Sequence, residues 1–556
     1  MKHKSIARQI IIHPLFWIIL VSIIPTLPFF LTTSLIHTHD GLVHLPRLAE
    51  FYKALSDGQF PVRWAGDLNY HYGLPLFNFI YHLPYYVGSL FLFLGAGLVV
   101  AFKLSLALSF ILSGIFMYMF AKIFFDDTDK ALLVTILYQF APFRIVELLV
   151  RGSYGEVYTY AFLPLVLYGI FLTIKKPSAF SIGIISLASA LLIVSHNSVS
   201  LLFFGVSAFF ALTFARTFKK IVLCALGMVL GLITSAYYWV PALLEHKYTY
   251  GDLYMQDLYK SHFAPFQDFF IPNLFNSQVL NIGAVNIHIG IFHTIAIILA
   301  AGSVIQYRFS NKQDKRIYLF SFVILVVSFF FMTEISRPIW DSGFNLIRQF
   351  QFPWRFLSLV VFASSLLGFT FFQIPAFRQK ATLIGLIFFV VFSVSFYFKA
   401  QEGYDRVKES TYWDFALNTT YYGETDIIWS DGLQKKYPKN PVDFIAGDGK
   451  IQDYVRKSNT REYTVLANSD STIVDHTHYF PGWRVFVDGA KTQIEFQDQN
   501  YRGQLTFKVP KGSHSVIAVF QESKTRLLSD VLSLVGLFIT MILFLTLPIK
   551  HFNEKK

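Results

Sequence analysis

The sequence predicts a polytopic α-helical membrane protein with about 12–13 transmembrane helices and a small β-sandwich-like domain before the last helix. Three observations predict this fold class. Of the 556 residues, 54% are hydrophobic and 15% are charged, whereas soluble proteins carry roughly 25% charged residues. The apolar residues form repeated runs of roughly 20 residues, the length that a helix needs to cross a bilayer. Short clusters of lysine and arginine separate these runs.

Apolar windows give the predicted spans. They lie at about 10–33, 104–125, 130–149, 157–174, 178–195, 198–216, 220–240, 286–305, 317–334, 356–373, 381–398 and 527–548. A further apolar run at 84–101 contains three glycines and disturbs the alternation of inside and outside loops. We interpret it as a re-entrant or interfacial segment; the alternative is a thirteenth crossing.

Loop charge predicts the orientation, because lysine and arginine are enriched in cytoplasmic loops. The basic clusters lie at 175–176, 216–220, 312–316, 378–380 and 550–556. Their pattern predicts a multi-pass protein of the cell membrane with both termini in the cytoplasm. The net charge of +12 then reflects these loops and not a nucleic-acid-binding surface.

The chain divides into three predicted units. Residues 1–398 form the transmembrane domain, with a long first outer loop at 34–83; within that loop, 46–58 has an amphipathic helical pattern suited to the membrane surface. Residues 399–526 are polar and rich in turn dipeptides, and we predict an extracytoplasmic, mainly β domain. A hairpin is expected at Asp488-Gly489. Residues 527–556 form the last helix and a basic tail.

Ionisable residues of the first outer loop are the first candidates for function. His39, Asp40, His44 and Arg47 follow the first span directly. Ionisable groups near the bilayer cost free energy, so they are functional candidates. The carboxylate of Asp40 would serve as a general base or a metal ligand. The alternative is an acid that caps the next helix.

A second group joins two predicted spans within a few residues. It is Arg151-Gly-Ser-Tyr-Gly-Glu156. One interpretation is a structural ion pair at the helix ends. The other is an acidic site in which Glu156 joins Asp40, around a divalent cation such as Mg²⁺ or Mn²⁺.

Two more groups lie near predicted outer helix ends. His196 and Asn197 either line a cavity or hold neighbouring helices together. Arg348 and Arg355 flank an aromatic segment, and arginine pairs bidentately with phosphate. These two residues therefore suit a lipid-linked phosphate, or else they form part of an interfacial anchor belt.

An aromatic segment of the first outer loop includes His71 and Tyr72. Its rings are suited to stacking on a sugar. They are equally suited to anchoring the loop at the membrane interface.

The order of these motifs resembles the GT-C superfamily of membrane glycosyltransferases. More closely, the chain is similar to bacterial proteins of the YfhO type and to the membrane family labelled 6-pyruvoyl-tetrahydropterin synthase related. Asp40 matches the acidic residue that GT-C enzymes carry in the first outer loop. The segments that carry the rest of the resemblance are Arg151–Glu156, Gln351–Phe356 and Tyr479–Arg484 with the Val-Asp-Gly that follows it.

The resemblance implies transfer of a sugar from a polyprenyl-phosphate donor to an extracytoplasmic glycan, lipid or protein acceptor, with inversion at the anomeric carbon. Asp40 would activate the acceptor hydroxyl, Arg348 or Arg355 would hold the donor phosphate, and Glu156 would bind a metal or shape the site. The alternatives are a flippase or transporter for lipid-linked sugars and a non-catalytic envelope scaffold.

Overall fold

The computed structural model describes residues 13–251, 257–270, 281–282, 285–286, 288–306, 312–342, 345–400, 403–420, 423–432 and 434–546. The extreme N-terminus and the basic cluster at 550–556, which entered the predicted orientation, lie outside the described residues. Helices dominate the chain before residue 400, and strands dominate it after residue 440.

Apolar helices form the transmembrane part. The α-helices of ten or more residues among the described segments are α1 (Pro14–Ile23), α2 (Gly41–Ser56), α3 (Leu83–Phe93), α4 (Leu98–Phe125), α5 (Thr128–Gln139), α6 (Glu156–Lys175), α7 (Ala179–Ile193), α8 (Asn197–Phe214), α9 (Phe218–Thr234), α10 (Ala236–Glu245), α11 (Ile291–Ile305), α12 (Lys312–Met332), α13 (Leu357–Leu367), α14 (Lys380–Ser393) and α15 (Lys524–Leu545).

Within the described residues, seven helical segments are long and apolar enough to cross a membrane, or nine if each of two bent pairs is one span. Thr128–Gln139 and Pro142–Arg151 meet at 49°, and Phe218–Thr234 and Ala236–Tyr248 meet at 67°. Four further apolar helices have 10 to 17 residues. The predicted class of polytopic helical membrane protein is therefore confirmed, but several predicted windows are bent or short because prolines and tight breaks interrupt the helical hydrogen bonds.

The apolar run at 84–101 is two elements and not one. Helix α3 ends at Phe93, Gly95 turns the chain with a φ of +91°, and α4 begins at Leu98, earlier than expected. At about 1.5 Å per residue, α3 is about 16 Å long, roughly half the hydrocarbon thickness. This length favours the interpretation that the segment does not cross the membrane by itself.

The predicted amphipathic helix at 46–58 is a longer helix, α2, that begins at Gly41 and ends before Asp57. The prediction that it lies on the membrane surface is wrong. Its polar residues His44, Arg47 and Glu50 are buried as well as its apolar ones. Protein segments from the first outer loop and the region after residue 404 cover it, so its polar face contacts polypeptide and not lipid headgroups.

The C-terminal strands form two antiparallel sheets that pack as a sandwich. The sheet strands are β5 (Val442–Ala446), β6 (Gly449–Lys457), β7 (Thr460–Ala467), β8 (Ser471–His478), β9 (Trp483–Val487), β10 (Ala490–Thr492), β11 (Gln504–Val509) and β12 (Gly512–Phe520). One sheet has the order β10-β9-β12-β7-β6, and the other has the order β11-β8-β5. A buried apolar core, which includes Val465, Ile473, Val485, Phe507 and Val516, lies in this domain. Two short pairs precede these strands, β1 (Leu35–Ile36) with β4 (Tyr404–Asp405), and β2 (Asn281–Ile282) with β3 (Val285–Asn286).

The expected hairpin joins β9 to β10. Val487 pairs with Ala490, and Asp488 and Gly489 have φ values of 50° and +80°. Positive φ at both central positions is the conformation that Asp-Gly turns favour between antiparallel strands. The mainly β domain before the last helix is therefore present, and its strands occupy 442–520. The proposed boundaries at 399 and 526 stay a prediction.

The first outer loop reaches into the β domain. The Trp64 ring is buried against Trp483 and Phe520, with centroid distances of 5.4 and 5.2 Å. The backbone N–H of His478 donates to the Tyr72 carbonyl at 2.7 Å. These contacts fix the β domain on the loop that follows the first helix.

Candidate active site

Backbone hydrogen bonds join two segments that the sequence predicts to be outer loops, the first at 34–83 and the second at Arg151–Glu156. The N–H of His39 donates to the Val150 carbonyl at 3.1 Å, and the N–H of Asp40 donates to the Arg151 carbonyl at 2.9 Å. Asp40 and Arg151 are far apart in sequence, but these main-chain hydrogen bonds make them neighbours independently of any side-chain contact.

Two glycines allow this close approach. Gly152 has a φ of +60°, and a Cβ atom there would collide with the Thr38 side chain. A Cβ atom at Gly155 would collide with the Tyr81 ring and with the Ser195 carbonyl. The spacing of glycines between Arg151 and Glu156 thus has a packing reason, because the first outer loop and the segment before α8 both press on the second outer loop.

Arg151 is the centre of a buried cluster of charges. Its Nη1 lies 2.7 Å from both Glu147 carboxylate oxygens and 3.1 Å from Glu156 Oε2, and its Nη2 lies 3.8 Å from Asp40 Oδ2. The guanidinium lies over the Trp354 ring at 4.6 Å. Buried charges are tolerated only when they are paired, so this arginine holds three acids from two loops together.

Arg355 completes the pairing of Glu156 from a distant part of the chain. Its Nε and Nη2 each lie 3.1 Å from Glu156 Oε1. Its Nη1 donates to the Phe350 carbonyl at 2.9 Å and to Gln351 Oε1 at 2.8 Å. Two buried glutamates, Glu147 and Glu156, thus balance two arginines.

His196, which directly precedes α8, contacts the same carboxylate. Its Nδ1 accepts from the N–H groups of Ser198 and Val199 at 3.2 Å each, which caps α8. Because Nδ1 accepts these bonds, a neutral ring carries its proton on Nε2. That atom lies 3.6 Å from Glu156 Oε1.

Asp40 differs from the other two acids in exposure. Its side chain is 22% exposed, whereas those of Glu147 and Glu156 are 0% exposed. Asp40 occupies the position before α2, but its side chain makes no capping hydrogen bond to that helix. The geometry does not support the alternative of a helix-capping acid, and it leaves the carboxylate beside Arg151 at the edge of the cluster.

An aromatic layer lies beside the charges. The His44 ring is buried, its Nδ1 is 2.7 Å from the Tyr85 hydroxyl, and it packs against Tyr81 and Tyr154. Burial, followed by the charge of Arg47, holds the pKa of His44 well below its ordinary value. His44 is therefore neutral near pH 7, so it adds a polar group but no charge to the cluster.

Three candidates use their side chains for contacts outside the cluster of charges. Arg47 donates from Nε to Thr419 Oγ1 at 2.9 Å, and Asn197 donates to the Phe79 carbonyl at 2.9 Å. Arg348 donates to the carbonyls of Trp340 and Asp341 at 3.0 and 3.2 Å. These contacts tie loops together.

His71 and Tyr72 contact the β domain and its flanking segments. The Tyr72 ring lies 5.3 Å from the His478 ring, and His71 Nε2 lies 3.0 Å from Asp414 Oδ1. The segment therefore contributes to the interface with the β domain.

Sequence reasoning missed Glu147 and Tyr85, and it gave no role to Tyr154 within the segment Arg151–Glu156. Glu147 lies inside a predicted apolar span, four residues before Arg151. A sequence signal for Glu147 does exist. It is an acid within an apolar span that has an arginine four residues further along the same helix. The tyrosines carry no comparable signal, because aromatic residues are abundant throughout the chain.

The groups around Glu156 form ion pairs and do not form a set of metal ligands. The described residues contain no group of three or more His, Cys, Asp or Glu side chains arranged to hold a metal ion. Glu156 contacts two arginines and a histidine, so its oxygens are directed at cations of the protein itself.

Comparison with known proteins gives a family and a distant structural likeness. No curated protein matches the sequence. A structure of the arabinofuranosyltransferase AftD from Mycobacteria has a TM-score of 0.40 and 15% identity, covering 71% of this chain and 26% of that one. Two structures of a mutant of AftD have TM-scores of 0.41 and 0.43, each with 16% identity over 70% of this chain and over 28% and 29% of theirs. The chain thus spans less than a third of the length of these proteins.

The family profile described as the 6-pyruvoyl-tetrahydropterin synthase related domain, a membrane protein, matches residues 77–400. This match covers more than half of the sequence and includes Glu147, Arg151, Glu156, His196 and Arg355. The chain belongs to this family of membrane proteins.

Proposed function

We propose that this protein is a GT-C-type membrane glycosyltransferase that moves a sugar from a polyprenyl-phosphate donor to an extracytoplasmic envelope glycan, lipid or protein. The observation that carries the proposal is the position of Asp40. Its partly exposed carboxylate lies 3.8 Å from Arg151, which is itself bound to buried acids. A positioned carboxylate at the edge of a rigid ionic cluster is suited to general base catalysis.

The proposed reaction is a single displacement with inversion. Asp40 takes the proton of the acceptor hydroxyl as that oxygen bonds to the anomeric carbon. The bond between the anomeric carbon and the phosphate oxygen breaks, and the polyprenyl phosphate leaves with the electron pair. Phosphate is a good leaving group, so positive charge near it contributes more than a separate acid.

Arg355 is the better of the two arginine candidates for the donor phosphate, because it lies within the cluster and Arg348 does not. Each of its nitrogens already has an oxygen within 3.1 Å. Phosphate binding would therefore exchange the Gln351 amide oxygen, which is only partly buried, for a phosphate oxygen. In this scheme Glu156 positions both arginines and does not touch the substrate. A divalent cation held by Asp40 and Glu156 is the weaker proposal, because Glu156 is already enclosed by cationic groups.

The arrangement of charges along α6 supports an extracytoplasmic site. Glu156 begins this helix and Lys175 ends it, about 30 Å away at about 1.5 Å per residue. Lys175 lines one cavity together with Arg216, Lys220 and Arg316, residues of the clusters predicted to be cytoplasmic. The acidic cluster and these cations are thus separated by about the thickness of a bilayer core, as the positive-inside rule expects for an outward-facing site.

The test compares Asp40→Asn with Asp129→Asn. Asp129 is also 22% exposed and also paired with a cation, Lys380, but lies on α5 away from the cluster. Membranes that contain each protein receive polyprenyl-phosphate sugars with radiolabelled hexose or pentose groups, and labelled product is counted. We expect Asp40→Asn to abolish transfer at normal expression and Asp129→Asn to retain it. A fully active Asp40→Asn protein would refute the mechanism.

A further inference from the structure

A cavity lies where His71 of the first outer loop meets the β domain. Its volume is about 250 Å³, and its lining includes His71, Tyr437, Tyr454, Arg456, Asp475 and His476. It lies away from the acidic cluster. Asp40 precedes the first turn of α2, whereas Lys53 in its last turn donates to Asp67, which pairs with Arg456 at 3.0 Å. Thirteen residues of helix separate the two ends, which is about 20 Å.

Asp475 is the unusual member of this lining. It lies in the central strand of the three-stranded sheet and is 1% exposed. Among the described residues, neither of its carboxylate oxygens meets hydrogen-bond geometry with a partner. Burial raises the pKa of Asp475, and the charge of Arg461 and the nearby hydroxyl groups of Thr477 and Tyr463 oppose that rise only in part. A buried acceptor without a partner destabilises the fold, so a strand position that retains one needs an explanation.

Two more buried polar atoms behind this wall lack partners among the described residues. They are the Tyr463 hydroxyl and Nη2 of Arg461. The side chain of His476, by contrast, is fixed on both sides, with Nε2 3.0 Å from Asp443 Oδ2 and Nδ1 2.6 Å from Gln504 Oε1. The cavity thus combines a rigid histidine with unsatisfied donors and acceptors.

Aromatic rings supply the remaining walls. Tyr437 is 41% exposed and packs edge-on against the His71 ring at 4.8 Å. Tyr454 lies on β6 and packs against Tyr463 at 5.8 Å. Apolar ring faces beside a few fixed polar groups are the usual composition of a small-molecule site.

The charges define the ligand class. Arg456 is already paired with Asp67, and His476 is already bound to Asp443. Among the described residues that line the cavity, Asp475 is the acid whose carboxylate oxygens have no hydrogen-bond partner, and a carboxylate repels a phosphate or another anion. A neutral molecule with several hydroxyl groups and an apolar ring face satisfies the carboxylate and the aromatic walls together.

We propose that this cavity binds one neutral pyranose unit of a glycan, with Asp475 accepting hydrogen bonds from sugar hydroxyls and Tyr437 covering one face of the ring. The site uses His71, the part of the first outer loop that does not join the acidic cluster. We further propose that the bound sugar is part of the acceptor glycan, whose end reaches Asp40. This second step rests on the proposed function, whereas the binding of a sugar in the cavity does not.

The test is a titration of the purified full chain in lipid nanodiscs with methyl α-mannopyranoside, methyl α-glucopyranoside and methyl α-galactopyranoside, followed by saturation-transfer NMR. We expect at least one glycoside to bind. Asp475→Asn should weaken that binding by about tenfold or more, because the NH₂ group of asparagine donates where a carboxylate oxygen accepts. Tyr437→Ala should weaken it as well and, being a surface change, keeps the test decisive if Asp475→Asn fails to fold.

Asp488→Asn is the matched control, because Asp488 lies in the exposed β9–β10 turn, where asparagine is equally suited. It should bind the glycoside as the wild type does. Binding of none of the three glycosides, or binding unchanged in both cavity variants, would overturn the proposal. Asp40→Asn separates the two proposals: it should lose transfer and keep glycoside binding, and an Asp40→Asn protein that retains transfer contradicts the catalytic proposal alone.

Discussion

Glu156→Gln removes a buried negative charge with almost no change in side-chain size. In the wild type, Arg151 Nη1 lies 3.1 Å from one carboxylate oxygen of Glu156, and Arg355 Nη2 lies 3.1 Å from the other. With an effective dielectric constant of about 20, each contact has a Coulomb energy of about 5 kcal/mol before desolvation is subtracted. Loss of one partner from a buried ion pair is then expected to destabilise the protein by about 3–5 kcal/mol.

The assay is unfolding of the purified protein in mixed micelles against an increasing fraction of SDS. Glu334→Gln is the matched control: Glu334 binds Arg337 at 2.5 and 2.7 Å, but its side chain is 59% exposed. Because water screens this pair, its loss should change the stability little despite the shorter distances. The contrast isolates burial as the source of the effect.

A double-mutant cycle tests the pairing directly. Arg355→Gln also leaves a charge without its partner, but the double variant with Glu156→Gln removes both charges. We expect the double variant to be more stable than the sum of the single changes predicts, by about 0.5–3 kcal/mol. Additive effects, or a loss in Glu156→Gln as small as that in Glu334→Gln, would refute the view that this cluster is held by its ion pairs.

Three further changes follow from the geometry. Gly152→Ala should cost more stability than Gly95→Ala, because both positions have positive φ but only Gly152 has side-chain atoms of the first outer loop where the Cβ would be; comparison of their unfolding midpoints checks this. Arg355→Gln should lower sugar transfer on the order of 100-fold through misplacement of the reacting groups, whereas Arg348→Gln should leave the rate nearly unchanged. Burial raises the pKa of Asp426 from the ordinary 3.8 to about 7. Between these two pH values the folded protein keeps a proton on Asp426 that the unfolded chain has lost. The contribution of Asp426 to the free energy of unfolding is therefore fully present below pH 3.8 and is lost as the pH rises to about 7. Asp426→Asn should flatten that decline in unfolding midpoints measured across this range.

Each of these has a contrary outcome. Equal costs for the two glycine variants would mean that φ alone matters at the second outer loop. A greater loss of transfer in Arg348→Gln than in Arg355→Gln would indicate that Arg348 binds the donor phosphate. An unchanged pH profile in Asp426→Asn would assign the decline to other carboxyl groups.

The sequence contained the local features. Composition and run length predicted the membrane class, because crossing hydrocarbon requires long apolar helices. The Asp488-Gly489 turn and the alternation of strands around it predicted the hairpin, because turn geometry depends on the two residues themselves. Asp40 and the segment Arg151–Glu156 were also visible, as ionisable residues beside apolar runs.

Tertiary structure decided which of those residues meet. Arg348 and Arg355 look equivalent in sequence, yet only Arg355 reaches Glu156, across 199 residues of chain. His71 and Tyr72 belong to the β-domain interface, and α2 is buried by protein instead of lying on lipid. The local sequence pattern does not predict such contacts, because each contact depends on how segments far apart in the chain pack against one another. The sequence by itself determined that polar residues gather near one set of helix ends, and only the packing of those loops determined which of them form the cluster, because buried charges are stable only where partners from distant segments converge.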